Sequence, residues 1–138
     1  MTRALLDTNV ILDLFLDRPP FAAEAALLWQ ANEKGDFEAY ISAITPVNRF
    51  YIARKFKGKA TAQQAVVELL AALRVCPIDS TTLQLALILP FNDFEDAVQS
   101  ASAVTSQLDA IITRNSKDFS DAQLPVLSPT EFLKQLSV

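Results

Sequence analysis

Three short stretches of this chain set acidic residues at the edges of apolar elements. The first is Leu6-Asp7-Thr8-Asn9, where a carboxylate closes a short apolar run. The second is Asn92-Asp93-Phe94-Glu95-Asp96-Ala97, and the third Thr113-Arg114-Asn115-Ser116-Lys117-Asp118-Phe119. The chain has no histidine and a single cysteine, Cys76. That excludes Ser-His-Asp and Cys-His catalysis, histidine–cysteine zinc sites and an internal disulfide. Two isolated glycines, Gly35 and Gly58, cannot form a phosphate-cradling loop or a dinucleotide fingerprint. What remains is carboxylates, amides, hydroxyls, Lys and Arg. Hard oxygen donors of this kind suit Mg²⁺ or Mn²⁺. Carboxylates gathered closely need a cation to stay ionised together, and such an ion lowers the pKa of water and stabilises charge on a phosphodiester. On this reading Asp7 is a direct ligand, Asp96 a second, and Asp118 or Asn115 supplies a completing oxygen.

The elements that position these residues follow from apolar periodicity. Leu5-Leu6 reads as a buried strand, followed by a helix through Val10, Ile11, Leu14 and Phe15 that Pro19-Pro20 breaks. Phe21, Ala25, Leu28 and Trp29 stripe a second helix ending near Gly35. Ala39-Tyr40-Ile41 is a strand. Thr45-Pro46 reads as an N-cap with proline at the first helical position, opening a helix that ends at Gly58. Val66, Leu69, Leu70 and Leu73 mark the next helix, Val75 to Ile78 a strand interrupted by Pro77, and Thr82 to Leu89 a helix stopped by Pro90. A helix from Phe94 to Leu108, strands at Ala110 to Thr113 and Val126-Leu127, and a helix from Thr130 to Leu136 complete the chain. Strands alternating with helices imply right-handed crossovers and a three-layer α/β/α domain around a parallel sheet of four to five strands. The strand C-termini of such a sheet meet helix N-termini along one edge. Asp7 and Asn115 follow strands on that edge, and Asn48 and Asp96 fall in first helical turns beside it.

Each residue also has an ordinary structural use. Asp7 can cap the first helix. Asn92 with Glu95, or Asp93 with Asp96, can form a capping box. Asn115 and Asp118 can make a turn. Asp13 and Asp17 read as residues on the solvated face of the first helix. The cluster Arg49, Arg54, Lys55, Lys57 and Lys59 suits a helix C-terminus as well as a phosphate contact.

With 138 residues, 51% of them apolar and 20% charged, the chain reads as one domain over residues 1–138. No apolar run is long enough to span a bilayer, and charge by Arg3 argues against a signal peptide. The expectation is a cytoplasmic protein with no membrane contact. A net charge of −4 argues against a protein that coats nucleic acid generally.

Leu6-Asp7-Thr8-Asn9-Val10, Ile41-Ser42-Ala43-Ile44-Thr45, Asp96-Ala97 opening a helix, and Thr113-Arg114-Asn115 with Asp118-Phe119 resemble PIN domains. The order and spacing are similar to those of VapC-type toxins of prokaryotic toxin–antitoxin pairs, over nearly the whole chain. The resemblance implies a helix-sandwiched parallel sheet, Mg²⁺- or Mn²⁺-dependent cleavage of RNA, a small antitoxin partner and a homodimer formed through helices. It places the first family acid at Asp7 and the third at Asp96. The second, usually Glu, falls on Asn48, and the fourth on Asn115, with Asp118 three residues on. Thr8, Asn9 and Thr113 match polar residues that support the first Asp. Asp93, Glu95 or Asp118 can compensate for the two amides, which supply a neutral oxygen in place of a charge. Arg49, Arg54, Lys55 and Arg114 are the candidate RNA-phosphate contacts. Two rivals stand beside the nuclease: a non-catalytic PIN-like module that binds RNA or protein, and a phosphatase with Asp7 as nucleophile. The latter resembles the haloacid-dehalogenase-like pattern, which wants a second Asp where this chain has Asn9.

Overall fold

A computed structural model describes residues 1–120 and 122–137. Five short strands, β1 (Arg3–Leu6), β2 (Glu38–Ser42), β3 (Arg74–Cys76), β4 (Ala110–Ile112) and β5 (Val126–Leu127), form one sheet in the order β3-β2-β1-β4-β5. Every pairing is parallel, with Leu5 in register with Tyr40 on one side and Ile111 on the other. The helices are α1 (Thr8–Phe15), α2 (Ala22–Glu33), α3 (Ile44–Lys57), α4 (Lys59–Ala72), α5 (Ser80–Ile88), α6 (Phe94–Thr105) and α7 (Pro129–Leu136), with a 3₁₀ turn at Ser116–Phe119.

Side chains alternate across the sheet, so each strand feeds two cores. Ala4, Leu6, Ala39, Ile41 and Ile112 face one layer, where they meet Val10, Ile11, Leu28, Leu69 and Phe132 from α1, α2, α4 and α7. Leu5 and Ile111 face the other, against Ala103, Leu108 and Phe119, continuous with the contacts of α5 and α6 around Ala86, Ala97 and Ala101. The expected α/β/α architecture is the one observed, with five strands among the described residues. β1 lies at its centre, so Asp7 leaves the sheet at its most enclosed point. Among the described residues no helix is long and apolar enough to cross a membrane.

Local signals place the boundaries. Gly35 and Gly58 adopt φ of 81° and 86°, a region open to glycine at little cost, and Gly58 joins α3 directly to α4. α5 opens two residues before Thr82 because Asp79 caps it through the Thr82 amide. α7 begins at Pro129, one residue earlier than expected, under a reciprocal capping box of Ser128 and Glu131. β3 stops at Cys76, before Pro77.

Two expectations fail. Thr45 does not cap α3: the helix starts at Ile44 after Ala43, and the Thr45 hydroxyl is buried against Thr8 instead. Asp13 is not on a solvated face. It is 2% exposed, held by Arg114 at 2.7 Å and Arg18 at 3.8 Å. Periodicity marked α1 as one-sided, but α2 and the end of β4 cover its second side.

Candidate active site

Asp7 follows β1 and its amide extends the sheet by donating to the Ile112 carbonyl at 3.0 Å. The side chain is thereby fixed at the sheet edge and is 2% exposed. Oδ1 accepts from Gln99 Nε2 at 3.0 Å, and Oδ2 accepts from the Thr113 hydroxyl at 2.8 Å. Burial pushes the Asp7 carboxyl above its ordinary pKa, and the Thr113 and Gln99 hydrogen bonds oppose that rise. Each oxygen keeps a second lone pair available to a ligand.

Gln99 is oriented in turn, because its carbonyl accepts from the Thr8 amide at 3.0 Å and the Thr8 hydroxyl at 3.3 Å. The Thr8 hydroxyl also meets the Thr45 hydroxyl at 2.9 Å. Thr113 accepts from the Asn115 amide at 3.0 Å, tying the Asp7 carboxylate to the turn that carries Asp118. Asn9 is half-buried one residue further along α1.

α6 brings the other acids. Asp93 caps it by accepting from the Asp96 amide at 3.0 Å, which is half of the capping box read from the sequence; the reciprocal bond is not among the contacts of the described residues. Asp93 and Asp96 line a cleft of about 270 Å³ with Lys117 and Asp118 from the 3₁₀ turn. Asn48 does not stand alone: its Nδ2 donates to Glu95 Oε1 at 2.7 Å. Where an acid was expected on α3, the neighbouring negative charge comes from α6.

The electrostatic consequence is concentrated on Asp96. Its carboxyl is pushed up to about 7, first by burial and then by the charges of Asp7, Asp93, Asp118 and Glu95. Glu95 is also raised, by burial and by Asp93, against the pull of its Asn48 hydrogen bond. A carboxyl raised to about 7 by burial and by the charges of neighbouring acids marks a place where a cation can replace its proton. The donor set, all oxygen, fits Mg²⁺ or Mn²⁺. Asp96, Asp7 and Asp118 are the residues that would hold the ion. Among the described residues no three acids already stand at ligand spacing.

The candidate phosphate contacts separate. Arg54 and Lys55 are exposed near the end of α3. Arg49 is fully buried, with its guanidinium stacked 3.7 Å from the centre of the Phe15 ring, so the reading of it as a surface phosphate contact is corrected. Arg114 is spoken for by Asp13, through bonds of 2.7 and 3.3 Å, and lies over the Phe21 ring.

Sequence reasoning missed Gln99, the Asp13–Arg114 pair and Lys117. Gln99 carried a usable signal, since it lies three residues after Asp96 and hence on nearly the same helix face. The Asp13–Arg114 pair spans 101 positions and left no local trace.

The PIN domain family profile matches residues 3–117. No curated protein matches the sequence. Among solved structures, a toxin–antitoxin complex from Klebsiella pneumoniae contains a chain 30% identical, aligned over 91% of this chain and 97% of that one with a TM-score of 0.67. VapBC-1 from nontypeable Haemophilus influenzae is 18% identical over 94% and 99%, with a TM-score of 0.71. VapC20 from Mycobacterium tuberculosis, a toxin that cleaves the sarcin–ricin loop, is 17% identical over 88% and 95%, with a TM-score of 0.69. The last two show likeness of fold alone. With an acid-lined sheet edge on the expected topology and a profile match across most of its length, the chain belongs to the PIN domain family.

Proposed function

We propose that this protein is a divalent-metal-dependent endoribonuclease that hydrolyses phosphodiester bonds in RNA, and that it acts as the toxin of a toxin–antitoxin pair. One observation carries the reading: Asp93, Asp96 and Asp118 line one cleft, where burial, together with the charges of Asp7, Asp93, Asp118 and Glu95, pushes the Asp96 carboxyl up to about 7. A Mg²⁺ or Mn²⁺ ion bound there would lower the pKa of water and stabilise charge on the phosphodiester. Asp7 and Asp96 are its proposed ligands, with Asp118 or Asn115 completing the set. Gln99 and Thr113 hold Asp7 in one orientation, and Thr8 holds Gln99. Asn48 keeps Glu95 at the crevice wall, supplying the charge that its own amide lacks. Arg54 and Lys55 steer the RNA strand through its phosphates.

The 30% identity to a chain of the Klebsiella pneumoniae toxin–antitoxin complex supports a small antitoxin partner. Exposed Val47, Tyr51, Val67 and Leu70 on α3 and α4 support a homodimer built through helices. An antitoxin-restrained ribonuclease would work in the cytoplasm, where its RNA is.

The test is cleavage of varied RNAs with Mn²⁺, comparing wild type with Asp7→Asn. Wild type should cut, chelation should stop it, and Asp7→Asn should lose at least about 100-fold in rate. The lack of three pre-spaced acids among the described residues favours one second reading, a non-catalytic PIN module that binds RNA or protein. Clean wild-type protein that makes no metal-dependent cut on varied RNAs would take most of the weight from the nuclease reading.

A further inference from the structure

Arg49 follows Asn48 on α3, but a step of about 100° around the helix turns it away from the crevice. It is fully buried, and Nε, Nη1 and Nη2 all lack a hydrogen-bond partner among the described residues. Phe15 covers the guanidinium at 3.7 Å. Beside it lies a cavity of about 330 Å³ among α1, α2, α3 and α4, walled by Ile11, Leu14, Trp29 and Leu69. A guanidinium offers five N–H donors and no acceptor, so burying it with none of them used is among the costliest arrangements a side chain can adopt. The Phe15 contact returns part of the lost hydration and none of the lost hydrogen bonds.

Neighbouring charges do not resolve it. Arg18 adds positive potential at Arg49, and the Lys57 ammonium sits 5.3 Å from the same Phe15 ring. Asp13, two residues before Phe15, is committed to Arg114 and Arg18. Glu68 touches the cavity but is exposed and accepts from Gln64 at 3.4 Å.

We infer that this cavity is a receptor for a carboxylate carried on an apolar body. The two carboxylate oxygens take the Arg49 fork, the body fills the space beside Leu14, Trp29 and Leu69, and the half-buried Phe15 ring swings aside to admit it. One guanidinium matches one monoanion in bidentate geometry. A phosphate dianion would give up too much hydration to these walls. The volume lies at the small end of ligand pockets. The carboxylate belongs either to a free acid or to an acidic side chain flanked by apolar residues in a peptide. Nothing in this assignment depends on the nuclease reading.

Trp29 is the sole tryptophan, so its fluorescence reports the cavity directly. Full-length protein is titrated with 3-phenylpropanoate, with the neutral 3-phenylpropanol, with inorganic phosphate, and with the blocked peptide acetyl-Leu-Glu-Leu-Phe-amide. The acid, the peptide or both should shift Trp29 emission and raise the melting temperature, and the tighter of the two identifies the source. The alcohol and phosphate should bind at least tenfold more weakly. Arg49→Met should lose at least tenfold in carboxylate affinity while melting no lower than wild type without ligand, because an uncompensated buried charge has gone. Arg49→Lys, which keeps the charge without the fork, covers the case in which Arg49→Met fails to fold and should also bind weakly. Glu68→Gln should bind equally well or more tightly. The assignment is overturned if neither carboxylate perturbs Trp29, if the alcohol or phosphate binds as well, or if both arginine variants keep full affinity. Equal loss of melting temperature in Arg49→Met and Glu68→Gln would overturn it too, by showing an internal ion pair.

Discussion

At the residue scale, Gln99 is the side chain on which the crevice depends most after its acids. It donates to Asp7 with one end of its amide and receives Thr8 with the other. Gln99→Leu keeps the approximate volume but strands a buried carboxylate oxygen and a buried backbone N–H. The expected loss is about 2–3 kcal/mol in urea unfolding, and a change below about 0.5 kcal/mol would show that the network is not formed in solution. Asp96 sets the pH behaviour of the metal-free protein. Its folded pKa of about 7 lies above the ordinary 3.8, so protons bind the folded state more tightly than the unfolded one. The associated stability is full below about pH 4 and is lost as pH rises through 7. With chelator present, the melting temperature should therefore fall from pH 5.5 to pH 8, and Asp96→Asn should flatten that fall. A wild-type profile that is flat or rises over this range would count against the crowded arrangement of acids.

At the element scale, the loop after β4 is anchored to α1 rather than left to the surface. Arg114 stacks on Phe21 and bonds to the buried Asp13, which fixes the residues on either side of it, Thr113 and Asn115. Asp13→Ala removes the only carboxylate paired with Arg114 among the described residues. The expected cost is about 3 kcal/mol, at the lower end for a buried pair because Arg114 is 25% exposed. Chemical denaturation measures it, and Asp13→Ala with Arg114→Met should recover part of the loss, since no charge is then left unpaired. If the double variant is as unstable as the sum of both single ones, the pair is not coupled. Helix and strand identities were legible from periodicity, because burial on one face imposes its period on the sequence. Boundaries were legible where a cap uses neighbouring residues, as with Gly58, and were missed at Asp79 and Ser128, where the apolar stripe begins later than the capped turn.

At the scale of the whole molecule, the chain is acidic overall yet presents exposed Arg54 and Lys55 on α3. If these guide RNA, the arrangement is a local positive patch on a negative body, which limits nonspecific binding. Replacing both with Ala should weaken RNA binding uniformly across sequences and reduce the slope of log affinity against log salt by roughly 1.4. An unchanged slope would remove them from the interface. Arg49 belongs to a different part of the molecule despite lying in the same basic run, because three elements close over its side of α3.

The sequence by itself determined the α/β/α layering, the parallel sheet and the presence of Asp7 at a strand end. Those features repeat within a few residues, through side-chain alternation, helical periodicity and turn chemistry. It also pointed to an oxygen-donor site, because the chain lacks histidine and has one cysteine. Only the tertiary structure decided which polar groups face one another. Glu95 answers Asn48 across 47 positions, Gln99 reaches Asp7 across 92, and Arg114 reaches Asp13 across 101. Such pairs leave no period to read. They arise because crossovers bring distant helix starts to one sheet edge, where a buried polar group must find its partner in whatever element packs beside it.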